Sequence, residues 1–177
     1  ERDIRGASYL EIQDWKARTR AFDDVVVYDE LSLNMSIAGG DASRVDAEMV
    51  GYGYFALLGA STQLGRVFTT DEDKVPGQYP VAVISDALWR RRFAASPDVF
   101  STRVLLNDQP VSIIGVMAQG FAGLSLDTDV WVPTMMMGLT SSPSVLQTRG
   151  NRWLAALARL RPGTKLGTKS RVGNFVE

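Results

Sequence analysis

The sequence predicts an α+β domain, of mixed α/β content, built on two β-hairpins. Three observations predict it. Apolar residues recur at helical spacing near the start of the chain, two pairs of segments alternate with period 2 around turn residues, and short continuous apolar runs mark buried strands. With 177 residues, 45% of them apolar and 22% charged, the chain can bury a sizeable core as one domain or two small lobes.

Ser8-Tyr9-Leu10-Glu11 has the form of a capping box. Tyr9, Ile12, Trp15, Thr19 and Phe22 then recur at helical spacing, so residues 9–21 are expected to form an amphipathic helix packed on a sheet. Asp14 and Arg18 are spaced for an ion pair one turn apart. Residues 25–37 are strand-like: Leu31, Leu33, Met35 and Ile37 alternate with Ser32, Asn34 and Ser36. Gly39-Gly40 turns the chain, and Val45, Ala47 and Met49 alternate with Arg44, Asp46 and Glu48. This predicts a hairpin with one buried and one wet face, Glu48 on the wet one.

The stretch from Val50 to Asp73 has the most distinctive order of residues. Tyr54 to Leu58 is expected as a short apolar helix closed by Gly59. Leu64 to Phe68 is expected as a tight turn, and Thr69 to Asp73 supplies hydroxyls and carboxylates suited to starting a helical turn. Pro76-Gly77-Gln78 breaks the chain, and residues 80–84 form an apolar run expected as a buried strand. Ser85 is placed to cap a helix reaching Phe93, with Asp86 at its positive end and Arg90, Arg91 and Arg92 at its negative end.

Ser96-Pro97-Asp98 is a turn, and residues 103–106 and 111–116 make a second hairpin through Asn107-Asp108-Gln109. Residues 119–123 are a loop, and residues 130–133 a short strand ended by Pro133. Met135, Met136 and Met137 cannot share one face; the run is expected as a short apolar segment folded against the sheet, with a partly exposed, adaptable Met surface as the alternative. Residues 139–150 are a polar loop. Residues 153–160 are a strand with Leu154, Ala156, Ala158 and Leu160 on one face. Arg161-Pro162-Gly163 ends it, and the tail from Thr164 to Glu177 has too little periodicity to predict order.

Composition removes several kinds of function. The chain has no Cys and no His, so thiol chemistry, disulfides and the commonest general base and metal ligand are absent. Its net charge of −1 argues against a generally basic nucleic-acid binder. No run of about 18 apolar residues predicts a transmembrane helix, no signal peptide is visible, and the start at Glu1-Arg2-Asp3 resembles that of an excised piece. No phosphate-binding G-x-x-x-x-G-K-[ST] loop occurs. Ser85 follows a strand as a nucleophile would, but without flanking glycines or a histidine it is expected as a cap. Asp127 and Asp129 have the first spacing of a calcium loop without the rest of it, and Asp71 to Asp73 has no better pattern. No catalytic, cofactor-binding or metal-ligating residue is therefore assigned. A carboxylate-based hydrolase would need two acids facing one cleft about 5–9 Å apart.

SYLEIQDWKARTRAF, RVDAEMVGYGYFALLGASTQLGRVFTTDED, VAVISDALWRRRF, VLLNDQPVSIIGVMAQGF, DVWVP and LAALARLRPG follow one another from Ser8 to Gly163. In this order they resemble the MacB-like periplasmic core domain of bacterial ABC-transporter permeases, in particular the large permease-like family of acidobacteria. The resemblance implies a domain on the periplasmic side of the inner membrane, inserted between the first and second transmembrane helices of a permease. It implies two lobes: a porter-like β-α-β lobe, placed at residues 1–76 plus 148–177, and an inserted smaller mixed lobe at residues 77–147. One departure stands out: residues 164–170 lack the apolar stripe of the helix the family usually carries after its last Pro-Gly.

The function implied is a non-catalytic one, relaying conformational change to substrate or to a periplasmic partner, while a separate cytoplasmic ATPase uses ATP. The implied partners are the transmembrane segments of the same permease, that ATPase and a periplasmic adaptor; the isolated domain is expected to be a monomer. Trp131, Met135, Met136 and Met137 are the expected partner contacts, as an adaptable Met-rich surface. The alternative is a stand-alone extracytoplasmic module binding a lipid or peptide.

Overall fold

The computed structural model describes residues 6–18, 22–37 and 39–160. Helix α1 (Tyr9–Arg18) starts at the predicted capping box, with the Ser8 N–H donating to Glu11 Oε2 at 2.9 Å and the Glu11 N–H donating to Ser8 Oγ at 3.3 Å. Asp14 does not form its ion pair with Arg18. It accepts from Arg149 at 2.7 Å, and Glu11 pairs with Arg152, so the helix is tied instead to the segment before the last strand. Residues 19–21, the expected last turn of that helix, and the tail beyond Leu160 lie outside the described residues.

Strands β1 (Phe22–Ile37) and β2 (Ser43–Val50) form the first hairpin, in register from Tyr28 opposite Val50 to Met35 opposite Ser43. Helix α2 (Tyr54–Leu57) follows, and Gly59 takes φ +67 just beyond it, as a helix-closing glycine should. The turn expected at Leu64 begins instead as strand β3 (Thr62–Gly65), which pairs with the later strand Gln109–Met117. Two glycines allow this close approach: a Cβ on Gly115 would sit 2.2 Å from the Arg66 carbonyl oxygen, and one on Gly65 would sit 2.2 Å from that of Ile114. A 3₁₀ turn, Thr70–Asp73, is capped reciprocally by Thr69 and Glu72.

Strand β4 (Val81–Ile84) is buried throughout, and Ser85 Oγ accepts the Leu88 N–H at 3.0 Å to cap α3 (Asp86–Phe93). Strands β5 (Val104–Leu106) and β6 (Gln109–Met117) are joined by Asn107-Asp108, both at positive φ, the backbone a two-residue hairpin needs. Strand β7 (Val130–Pro133) and β8 (Ala155–Leu160) complete the set. Between them, 3₁₀ turns at Thr134–Leu139 and Pro143–Gln147 occupy much of what reads in sequence as a Met run and a polar loop.

The strands form one sheet in the order β2-β7-β4-β6-β5-β1-β8, with β3 added on β6. Because β1 also pairs with β2, six strands close into a ring. Strands from both sides of residue 77 contribute to it: β1 and β2 from before, β4 to β7 from after. One alternation set from all six meets in a single cluster, including Leu33, Met35, Ala47, Ile84, Leu106 and Val130. Leu88, Trp89 and Phe93 of α3 join this cluster. A bulge at Ile114 shifts the β4–β6 register, so that Ala82 faces Ile113 while Val83 faces Gly115.

The other face of the ring is covered by α2 and Phe68, which bury Val50, Val83 and Trp131. Helix α1 covers the start of β1 and β8 through Ile12, Val25, Val27, Leu154 and Ala158.

Asp29 lies on the same alternation of β1 as Val27, which packs under α1, and Leu33, which packs in the ring. Burial pushes its carboxyl up to about 6, partly opposed by a backbone hydrogen bond from Glu30. A raised carboxyl favours the fold fully below its unfolded value near 4, and this contribution is lost as pH rises through about 6. Asp29→Asn is therefore expected to stabilise the domain by about 1 kcal/mol at pH 7.5, the figure allowing for partial solvent screening. The gain should vanish by pH 4. Urea unfolding at the two pH values checks it, and an equal gain at both would refute the assignment.

Candidate functional site

The alternation of β2 places Glu48 opposite the ring interior, and the parallel register of β2 and β7 sets it directly beside Trp131. Instead of meeting water, as the period-2 pattern predicts, Glu48 is fully buried. The loop from Ala118 to Asp129 and helix α2 close over it. The Trp131 indole N–H donates to its Oε2 at 2.8 Å, and the Tyr54 hydroxyl donates to the same oxygen. The Ser125 N–H and hydroxyl donate to Oε1 at 2.9 and 2.8 Å. Ser125 Oγ also meets Thr128 Oγ1 at 2.7 Å, and the Leu124 N–H donates to the Tyr54 oxygen at 3.1 Å.

No ion pair among the described residues includes Glu48. Four neutral donors satisfy it, as a buried carboxylate requires. Burial first, and then the adjoining Glu48 carboxylate, push the acidity of the Tyr54 hydroxyl far above its ordinary range, so Tyr54 remains a donor. Gly123 makes room for the arrangement: a Cβ there would lie 2.6 Å from both Glu48 Oε1 and Thr128 Oγ1. Around the polar centre, Phe55, Phe121 and Trp131 pack with ring centroids 5.3–6.0 Å apart. Beside α2 the surface opens into an apolar cleft of about 330 Å³ lined by Gly51, Gly53, Phe55, Ala56, Val67 and Phe68 among others.

The sequence-predicted residues fall as follows. Trp131 is fully buried, and Met135, Met136 and Met137 are each at most 4% exposed, so the run folds against the sheet as expected and the alternative, an exposed Met surface for partner contacts, is not there. The segment kinks at Met136 (φ −86, ψ 21). All three side chains meet protein, because the segment is wedged between the ring and the Pro143–Gln147 turn, whose Leu146 shares its cluster. Arg90 pairs with Asp86, Arg91 with Asp129 at 2.8 Å, and Arg92 with Ser43, so the helix end is engaged rather than merely solvated. Glu72 is held by Arg66 and Thr69 and Asp71 by Lys74. Asp73 accepts the Tyr52 N–H, and burial raises its carboxyl above the usual range. No group of three or more acidic residues among the described residues is placed to hold a metal ion.

The family model of the MacB-like periplasmic core domain matches residues 3–168. The chain belongs to that family. This MacB-like domain is similar to the periplasmic region of MacB from Actinobacillus actinomycetemcomitans, with TM-score 0.69 and 14% identity over 93% of this chain and 69% of that one. It is also similar to a domain of a protein described as a permease from Porphyromonas gingivalis, with TM-score 0.69 and 15% identity over 92% of this chain and 65% of that one. The extracellular domain of the noncanonic ABC-type transporter YknZ from Gram-positive bacteria gives TM-score 0.67 and 17% identity over 92% and 76%. At these identities the likeness is one of fold. A comparison with curated proteins finds no match. No described helix of the MacB-like domain is long and apolar enough to cross a membrane.

Glu48 therefore acts in this MacB-like domain as an internal anchor that joins β2, β7, α2 and the loop before β7. Glu48→Ala leaves the indole, phenol and serine donors unpaired and should destabilise the domain by about 3–5 kcal/mol. Glu48→Gln keeps an accepting oxygen and should lose about half of that. Unfolding by urea, with exposed Glu30→Ala as control, measures both. A Glu48→Ala variant as stable as the control would show that the anchor is dispensable.

Proposed function

We propose that this domain is a non-catalytic, extracytoplasmic element of an ABC-type permease that relays conformational change to substrate or to a partner outside the cytoplasm. The family match over residues 3–168 is the observation that carries the reading. The closed strand ring supports it: each of its six strands pairs with a neighbour on both sides, which suits a body that transmits displacement. The buried Glu48 network supports it in the same way, since it fixes a surface loop to the ring.

On this reading the domain is held by transmembrane segments of the same permease, ATP is used by a separate cytoplasmic ATPase, and an adaptor outside the cytoplasm is the natural partner. The isolated domain is a monomer.

The apolar cleft beside α2 favours a second reading, a module that binds a lipid or peptide. Its volume of about 330 Å³ is at the small end of ligand sites, and it is open at the surface.

Spheroplasts of cells expressing the full-length protein, treated with protease, separate the two. Membrane association with a protease-accessible domain is the expected result. A soluble full-length protein without membrane segments would overturn the permease reading and leave the binding module.

A further inference from the structure

We propose that the loop from Gly123 to Asp129 is a docking element, with Leu126 as its anchor, for a protein partner presenting an apolar socket bordered by lysine or arginine side chains. The inference rests on the extracytoplasmic placement proposed above. Leu126 is 80% exposed, more than any other large apolar side chain among the described residues. It also holds φ +69, a left-handed conformation that a γ-branched L-residue seldom adopts. Neither property helps the isolated domain: the leucine buries little surface, and its backbone is strained.

Both flanks hold it there. On one side the Ser125 N–H and hydroxyl are fixed to buried Glu48, and Gly123 packs against the same carboxylate. On the other, the Thr128 N–H donates to the Ala122 carbonyl at 3.0 Å and the Asp129 N–H donates to the Asp46 carbonyl at 2.8 Å. Arg91 clamps the Asp129 side chain through both oxygens. An apolar residue held outward on a fixed loop is pre-organised for a socket, since little freedom remains to be lost on binding.

Charge selects the kind of socket. Beside the loop an open groove of about 470 Å³ is lined by Glu30, Asp46 and Asp127 with Arg44 as its one cation. Arg44 already donates to Ser32 Oγ at 2.7 Å. Three carboxylates around one engaged guanidinium favour a basic partner surface and repel anionic lipid headgroups, so the structure assigns the loop to a protein and not to a bilayer.

The test uses the full-length protein in its own membrane, with a photo-crosslinking amino acid in place of Leu126 and, as control, of exposed Asp108. The expected result is a discrete adduct at position 126 only, mapped by mass spectrometry to a partner peptide containing lysine or arginine. Asp46→Lys with Asp127→Lys should lower its yield about fivefold or more. With the partner mapped, Leu126→Gly should weaken its binding about tenfold. Its unfolding midpoint should stay or rise, because glycine accepts φ +69. An adduct no stronger than the Asp108 control, an adduct to lipid or to a second copy, or a yield indifferent to charge reversal would each overturn the proposal. Protease treatment of the same cells tells the two failures apart. An accessible domain without the adduct overturns the docking loop alone, whereas a protected domain overturns the outward placement as well.

Discussion

A buried carboxylate, paired with no cation among the described residues, holds the outer layer of this domain to its ring. Glu48 receives one donor from β7, one from α2 and two from Ser125. A buried charge is tolerated only when its hydrogen-bonding sites are filled, so each of these elements must arrive in one position for the fold to form. The loop cannot shift without exposing the carboxylate to unpaired burial. The helix cannot leave without stripping the hydroxyl from it. Polar satisfaction therefore fixes the position of this layer together with its apolar contacts.

The ring supplies the platform on which that constraint acts. Its closure comes from the length of β1, which pairs with β2 along one edge and with β8 and then β5 along the other. A strand of this length spans two cores: its early residues pack under α1 and its late residues inside the ring. Asp29 marks the crossing, and its raised carboxyl reflects a polar residue placed where one alternation serves two apolar clusters. At the far side, glycines at positions 65 and 115 let β3 approach β6 closely enough to add to the sheet.

These two features join the ring and its outer layer. Each of the six ring strands pairs with a neighbour on both sides, and the loop before β7 is fixed to the ring through Glu48. The Met run also serves rigidity. Its three side chains fill the space between the ring and the Pro143–Gln147 turn, where unbranched, flexible chains fit an irregular gap well.

The sequence by itself determined the local elements and the family. The capping boxes at Ser8 and Thr69, the Ser85 cap, the Gly59 stop and the Asn107-Asp108 turn are all readable because each depends on residues within four positions of one another. The period-2 pattern likewise placed the two strands of the first hairpin, whose register the structure supplies. Only the tertiary structure decided which surfaces meet. Glu48 sits on the polar alternation of β2, and nothing nearby in sequence says that β7 and its preceding loop will cover that face; Trp131 and Ser125 are more than seventy residues away. Asp14 exchanged Arg18 for Arg149 for the same reason. A side chain's burial and its partner are set by which strands and turns become neighbours in space, and alternation along one strand carries no record of that.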